Sequence, residues 1–132
     1  MKIEFTPIGY LYTQAKSIPR HWSVSDVKGS IVIDQKYESG LKDISKGQAI
    51  VVIFYFDRSP DFSSSCLIQR PPHKDRDYGV FSICSPRRPN PIGMSVLEVL
   101  DVEGNTVYVN RVDMLDATPV LDIKPYIGYS KE

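Results

Sequence analysis

The sequence predicts an all-β fold, either a barrel or a sandwich, on three observations. Short runs of β-branched and aromatic residues recur along the chain, two runs flank a tight glycine-containing turn, and no long segment shows the apolar period of a helix. Several short strands without long helices between them favour this class over a doubly wound sheet. With 132 residues, the chain is most simply one domain with a sizeable core.

The clearest strands are predicted in the middle and the second half of the chain. Residues 29–33 and 49–56 are β-branched and aromatic runs bounded by glycine, lysine and turn residues, as buried strands are. Residues 94–102 and 106–112 flank the three-residue connection Glu103-Gly104-Asn105. Because glycine stands at the centre of this connection, the pattern predicts a β-hairpin.

The remaining elements are shorter. Additional strands are expected at residues 3–5, 66–69 and 79–83. A helical turn is expected at residues 40–47, where Leu41 and Ile44 stand three apart. Residues 14–28 and 57–78 are rich in proline, serine and charge and predict two long loops, the second with a short strand embedded in it. Loops of this length in a compact domain are more often functional than idle.

The composition limits partners and location. Lys and Arg together number 16, as do Asp and Glu, so the net charge is zero and a polyanion has to be met by a local patch. The longest apolar run has eight residues, too few to cross a bilayer, and the N-terminus lacks a signal-peptide pattern, which favours a cytoplasmic location. There Cys66 and Cys84 are expected as free thiols. With His21 and His73 as the only histidines, no metal site is predicted.

Residues 85–95, SPRRPNPIGMS, form a proline-rich stretch. Its prolines fix φ near about −65° and restrict the preceding residues, so Arg87, Arg88 and Asn90 are expected on a stiff extended loop. The two guanidinium groups either bind carboxylate or phosphate as planar forks or are solvated on a surface turn. Gly93 either allows the close approach of a ligand or serves a turn.

Residues 113–126, DMLDATPVLDIKPY, form an acidic stretch in an otherwise apolar setting. Asp113 and Asp116 stand three apart at the end of an apolar strand. They either bind ribose hydroxyls or an ammonium group, or cap the turn that follows. If this segment is extended, Asp122 and Lys124 point to the same face because they stand two apart, and they either form a structural ion pair or contribute to a site.

Several common cofactor and catalytic patterns are missing from the sequence. It has no GxGxxG, no GxxxxGK[ST] and no GxSxG, so a nucleotide-like cofactor needs another kind of pocket. Residues 70–76, RPPHKDR, add cationic groups that either join Arg87 and Arg88 in a patch for RNA phosphates or are solvated. Trp22 and Tyr78 either stack on bases or cover the edge of the core.

The proline-rich and acidic stretches, in this order and spacing, resemble the TrmO (TsaA-like) family, with support from IPR at residues 18–20 and RDYGVF at 76–81. The resemblance covers essentially the whole chain. It implies one β-barrel domain over residues 1–132, built of short, mainly antiparallel strands with long loops and little helix. It also implies a homodimeric methyltransferase that uses S-adenosylmethionine, bound near the subunit interface, to methylate N6 of threonylcarbamoyladenosine at position 37 of tRNA.

The resemblance also implies site residues. Carried over by position, the family's cofactor contacts fall on Pro19, Arg20, His21, Asp57, Arg58, Cys84, Met94, Met114, Leu115, Asp116 and Ala117. Family members usually have Arg where Cys84 stands, Gln at His21 and Gly at Ala117. We hypothesise that substrate phosphate or carboxylate is bound by Arg87, Arg88 and Asn90. The candidates for the base that removes the N6 proton are Asp122, Lys124 and Tyr126.

Two other functions are compatible with the same residues. One is a non-enzymatic β-barrel that binds RNA or senses S-adenosylmethionine, which the loss of a guanidinium at Cys84 favours. The other is a methyltransferase that acts on a different nucleoside or small-molecule acceptor.

Overall fold

A computed structural model describes residues 1–128, so the last four residues of the domain predicted over 1–132 lie outside the described part. Within it, the strands are β1 (Gly9–Tyr12), β2 (Gly29–Ile33), β3 (Ala49–Tyr55), β4 (Ile68–Gln69), β5 (Tyr78–Gly79), β6 (Ile92–Glu103), β7 (Thr106–Asn110) and β8 (Thr118–Pro125). Short 3-10 helices are found at Trp22–Val24, Gln35–Leu41, Ser64–Leu67 and Val80–Ser82.

The six longer strands of residues 1–128 close into one antiparallel barrel. Their order around the barrel is β1-β2-β7-β6-β3-β8, and β8 pairs with β1 to complete the circle. The two-residue strands β4 and β5 form a separate ribbon within the long loop and the segment that follows it. This architecture confirms the predicted all-β barrel with mainly antiparallel strands, long loops and little helix.

The barrel interior is the hydrophobic core, and the period-2 alternation of the strands fills it. In β3, Ile50, Val52 and Phe54 point inward and are at most 3% exposed, while the residues between them face outward. Burial of such side chains contributes about 1.5–3 kcal/mol each. Because β3 pairs with β6 on one side and β8 on the other, it fixes the mutual position of the proline-rich and acidic stretches.

Two strands of the barrel were not predicted from the sequence. The strand expected at residues 3–5 is wrong: these residues form no strand, and β1 begins instead at Gly9. A Cβ at Gly9 would collide with the main chain of Val32, so glycine permits the close β1–β2 pairing. β8 was missed because it contains prolines, and Leu121 is bulged between the pairs that β8 makes with β3.

Several boundaries differ from the prediction. The strand predicted at residues 29–33 is confirmed as β2. The strand predicted at residues 49–56 is β3, which ends one residue earlier, at Tyr55. The predicted hairpin is formed by β6 and β7. The strands expected at 66–69 and 79–83 are each partly a 3-10 helix. The helical turn expected at 40–47 lies earlier, at Gln35–Leu41, because the Asp34 carboxylate accepts from the Lys36 N–H and caps it.

Two further findings concern membrane-spanning helices and the cysteines. None of the helices between residues 1 and 128 is long and apolar enough to span a bilayer. Both cysteines are free thiols, Cys66 buried and Cys84 exposed.

Candidate functional site

The proline-rich and acidic stretches meet at one large pocket with a volume of about 670 Å³. Four segments form its walls: the loop at residues 18–22, the end of β3 with residues 56–60, the loop at 83–88 with the start of β6, and residues 113–115 with Thr118 at the start of β8. We call this cavity the large pocket. Its volume lies within the range of about 300–1,000 Å³ typical of small-molecule sites.

The proline-rich loop contributes Pro86 and Arg88 to the large pocket, beside Cys84. The Arg88 Nη1 donates to the main-chain oxygens of Ile83 and Ser85, both at 3.0 Å. These two carbonyls flank Cys84. The Arg88 side chain therefore stabilises the conformation of the loop around Cys84, and Arg88 also lines the pocket.

Asp113 is the half-buried carboxyl group of the pocket wall. The hydroxyl of Ser95, which is fully buried, donates to Asp113 Oδ1 at 2.5 Å. Burial raises the pKa of the Asp113 carboxyl above its ordinary value, and the Ser95 hydroxyl, the Trp22 main-chain N–H and the charge of His21 offset part of that rise. Asp113 therefore takes up a proton more readily than an exposed aspartate does.

Arg58 connects two walls of the pocket. Its Nη2 donates to the Asp116 main-chain oxygen at 2.6 Å and to Thr118 Oγ1 at 3.3 Å, while its Nε lies 3.3 Å from Asp57 Oδ1. The guanidinium therefore ties the segment after β3 to the start of β8. The carboxylate of Asp116 turns elsewhere, because Asp116 Oδ1 accepts from the Thr13 N–H at 2.9 Å.

Aromatic rings supply much of the apolar surface of the pocket. Phe54 and Phe56 meet edge to face with ring centroids 4.9 Å apart, and both line the large pocket. Gly93 lies beside them. A Cβ at Gly93 would collide with the Phe54 ring and lie 2.8 Å from Phe56, so this glycine makes room for the rings rather than for a turn.

Nine of the cofactor residues implied by the resemblance line the large pocket: Pro19, Arg20, His21, Asp57, Arg58, Cys84, Met94, Met114 and Leu115. Asp116 and Ala117 are not among its lining residues, although Arg58 bonds the Asp116 carbonyl. Of the proposed substrate residues, Arg88 lines the pocket and Arg87 and Asn90 do not. Sequence reasoning left out Phe54 and Phe56 as pocket residues, because aromatic residues in a strand resemble core, and it left Trp22 open between stacking on a base and covering the core edge.

The three candidates for the base do not line the large pocket within one copy of the chain. Asp122 and Lys124 form an ion pair at 2.9 Å, which confirms that they share a face of β8. Tyr126 lines a second cavity of about 290 Å³, which we call the small pocket. Trp22 lines both cavities.

The basic segment at residues 70–76 does not line the large pocket, but its loop contacts the proline-rich loop. Gln69 Nε2 donates to the main-chain oxygen of Arg87 at 2.8 Å. Within the segment, Arg70 pairs with Asp77 at 3.0 Å, and the Arg76 guanidinium stacks over the ring of Tyr78. Tyr78 therefore packs against a cation in this structure.

The structure thus defines a closed antiparallel barrel with a ligand-sized pocket at its surface, lined by aromatic rings, guanidinium groups and carboxyl groups. Residues 8–132 match the family described as the tRNA-methyltransferase O N-terminal domain. The chain belongs to this family.

Known proteins show the same relationship. An S-adenosyl-L-methionine-binding protein of Archaeoglobus fulgidus is 39% identical over 123 residues, covering 91% of this chain and 86% of that protein. A human tRNA (adenine(37)-N6)-methyltransferase is 33% identical, covering 92% of this chain but 30% of that protein. A crystal structure of TrmO superposes with a TM-score of 0.76 at 28% identity, covering 96% of this chain and 58% of that one. The chain thus spans about a third of the human relative's length and just over half of the solved chain's.

Proposed function

We propose that this chain is a methyltransferase that uses S-adenosylmethionine to methylate N6 of adenosine 37 in tRNA, with threonylcarbamoyladenosine as the acceptor. The observation that carries the proposal is the convergence of the proline-rich and acidic stretches on the large pocket. The family match supports it, and so do the names of the archaeal relative, which indicates the cofactor, and of the human relative, which indicates the acceptor.

The residues of the large pocket fit S-adenosylmethionine, which combines an aromatic base, a ribose diol, an amino acid group and a positive sulfur. Trp22 and Phe56 offer surfaces for the base. The guanidinium groups of Arg20 and Arg88 suit the carboxylate. Asp113 suits the positive groups, because it is a carboxyl group in the pocket wall.

The cofactor, when bound, supplies a methyl group carried on a positively charged sulfur. The chain's own contribution is to align the acceptor with that methyl group and to exclude water, because an in-line displacement depends on geometry. Arg58 fixes the spacing of two pocket walls through the Asp116 carbonyl. The Phe54 and Phe56 rings keep water from the apolar side.

The three departures from the family's usual residues have local explanations. Arg88 lines the pocket next to Cys84, so its guanidinium replaces the one that the family has at that position. His21 Nδ1 lies 2.7 Å from Ser23 Oγ, and its ring lies against Trp22 with centroids 4.8 Å apart. Ala117 keeps a left-handed φ of 65°, the conformation that glycine adopts most readily.

For the proton of N6 we infer Asp113 as the acceptor. It is a carboxyl group in the wall of the large pocket, and burial raises its pKa, which makes its carboxylate a stronger base than that of an exposed aspartate. The sequence candidates Asp122 and Lys124 neutralise each other on the outside of β8.

We also infer that the enzyme is a homodimer in the cytoplasm. The outward face of β3 and β6 is apolar where Tyr55 pairs with Ile92 and Ile53 pairs with Met94. Ile92 and Met94 also line the large pocket, so a second copy seated on this face would lie beside the cofactor. Light scattering is expected to give twice the chain mass, and a monomer would contradict the dimer.

The function is tested with tRNA that carries or lacks threonylcarbamoyl on adenosine 37 and with methyl-labelled S-adenosylmethionine. Label is expected on the modified tRNA alone. Equal labelling of both tRNAs would show a different acceptor. Cofactor binding by calorimetry without any transfer would support a sensing or RNA-binding barrel instead, and the absence of binding would reject the proposal.

A further inference from the structure

The small pocket lies next to the large one and has a different lining. Its volume is about 290 Å³. Its lining includes Trp22, Gln48 just before β3, Glu98 on β6, Arg111 and Tyr126. Because Trp22 lines both pockets, its side chain lies where the two cavities adjoin. A ligand in the small pocket would therefore be a neighbour of the ligand in the large one.

Arg111 is the cationic side chain of the small pocket. It follows β7 directly and has a φ of 74°, in the left-handed region that costs a residue with a Cβ about 1–2 kcal/mol. Among residues 1–128 its guanidinium is in no ion pair. An exposed guanidinium at a pocket rim offers a planar fork to a phosphate.

The other groups of the pocket complement a nucleobase. The Tyr126 side chain is about half exposed, and with Trp22 it offers aromatic surface on which an unpaired base stacks. Glu98 supplies carboxylate oxygens that accept from a base amino group, and Asn110 Nδ2 lies 3.5 Å from its Oε1. Aromatic surface, an acceptor and a guanidinium together match one nucleotide.

We propose that the small pocket binds an unpaired nucleotide that adjoins the methylated adenosine, with its base on Tyr126 and its phosphate on Arg111. The inference rests on the proposed function and goes beyond it, because it assigns a second RNA site on the far side of Trp22. The site is small, less than half the volume of the large pocket, which suits a single base. Tyr126, a sequence candidate for the base that removes the N6 proton, acquires a role in binding the RNA.

The test measures binding of an anticodon stem-loop RNA by fluorescence anisotropy without cofactor, so that it does not depend on methyl transfer. Arg111→Gly and Tyr126→Ala are each expected to weaken binding about tenfold, in line with the loss of one phosphate contact or one stacked base. Arg111→Lys is expected to retain most of the affinity. Lys36→Ala, which removes a cation outside both pockets, serves as the matched control and is expected to bind like the wild type.

Abasic RNAs identify the nucleotide. Of two stem-loops that lack the base at position 36 or at position 38, one is expected to bind the wild type about tenfold more weakly than the intact RNA does. Tyr126→Ala is expected to bind that same abasic RNA as tightly as it binds the intact RNA. The inference would be overturned if Arg111→Gly and Tyr126→Ala both bound RNA with wild-type affinity. It would also be overturned if Tyr126→Ala weakened the binding of both abasic RNAs as much as that of the intact RNA. Neither result would contradict the proposed methylation. A wild-type protein that neither binds nor methylates the RNA would reject the proposed function itself.

Discussion

Ala117 shows how a single residue is held in a conformation that it does not prefer. Its φ is 65°, yet its N–H donates to the Leu11 carbonyl at 2.8 Å. On either side, Asp116 accepts from Thr13, and Thr118 Oγ1 donates to the Leu115 carbonyl at 2.6 Å. These bonds fix the turn that leads from the pocket wall into β8, so the strain at Ala117 is maintained by its neighbours.

Ala117→Gly is therefore expected to raise the free energy of unfolding by about 1 kcal/mol or less, because relief of the left-handed strain exceeds the added entropy of the unfolded chain. Urea denaturation measures the change. Ala49→Gly, on an exposed position of β3, is the control and is expected to lose about 0.5–1 kcal/mol. Equal losses in both variants would show that φ at residue 117 carries no strain.

Asp113 makes stability depend on pH. Its folded-state pKa is raised above the ordinary value of 3.8, so its contribution to stability is fully present below that value and is lost as pH rises through the folded pKa. Asp113→Asn stays neutral and keeps an oxygen that accepts from Ser95. It is expected to unfold with a higher free energy than the wild type at neutral pH, and the difference is expected to vanish in acid.

Denaturation across pH tests this expectation. Asp61→Asn, at an exposed aspartate outside both pockets, is the control and is expected to leave the pH profile unchanged. If the free energy of unfolding of Asp113→Asn varied with pH in parallel with that of the wild type, the raised pKa of Asp113 would be contradicted.

At the scale of elements, the pairing of β3 with β6 forms the aromatic wall of the large pocket. Gly93→Ala is expected to destabilise the fold by about 1–3 kcal/mol, because the added methyl group displaces the Phe54 and Phe56 rings. Calorimetry is expected to show weaker cofactor binding as well, since both rings line the pocket. Gly40→Ala, where a Cβ meets no atom within 4 Å among the described residues, is the control. Wild-type stability in Gly93→Ala would contradict this packing.

Arg58 joins the segment after β3 to the start of β8. Arg58→Lys keeps the charge but cannot reach the Asp116 carbonyl and Thr118 Oγ1 with one planar group. We expect a loss of about 1–2 kcal/mol in stability together with weaker cofactor binding. Thermal unfolding and calorimetry measure the two effects. Unchanged binding would mean that the two walls hold their spacing without Arg58.

The elements that the sequence predicts well are those with an undisturbed pattern. β2 and the β6–β7 hairpin follow β-branched alternation and a glycine turn, which are local signals. β1 and β8 were missed because glycine and proline interrupt them, and their pairing with each other depends on closure of the barrel. Local sequence does not report which strands meet across such a closure.

At the scale of the whole molecule, the pocket is assembled from four segments far apart in sequence. Nine of the residues that the resemblance implies as cofactor contacts line this pocket. Their spacing along the sequence does not by itself predict that they meet. The aromatic lining and the position of Asp113 between Ser95 and the pocket depend on the three-dimensional packing, so the sequence left Asp113 open between a ligand contact and a turn cap.

A chain without net charge can bind a polyanion such as the proposed tRNA substrate only through local patches, which makes the arrangement of the loops decisive. The Gln69 bond to the Arg87 carbonyl brings the long loop against the proline-rich loop. Of the cations in these two loops, Arg58 and Arg88 line the large pocket. Binding of tRNA is therefore expected to weaken steeply as salt rises, and a salt-independent affinity would contradict a phosphate contact.

The proline-rich and acidic stretches are expected to close together around S-adenosylmethionine. Hydrogen exchange with mass spectrometry, with and without saturating cofactor, tests it most directly. Slower exchange is expected in residues 83–88 and 113–115 together, with no change at Gln35–Leu41, which lines neither pocket. Unchanged exchange in both stretches, or protection confined to another part of the chain, would contradict the account.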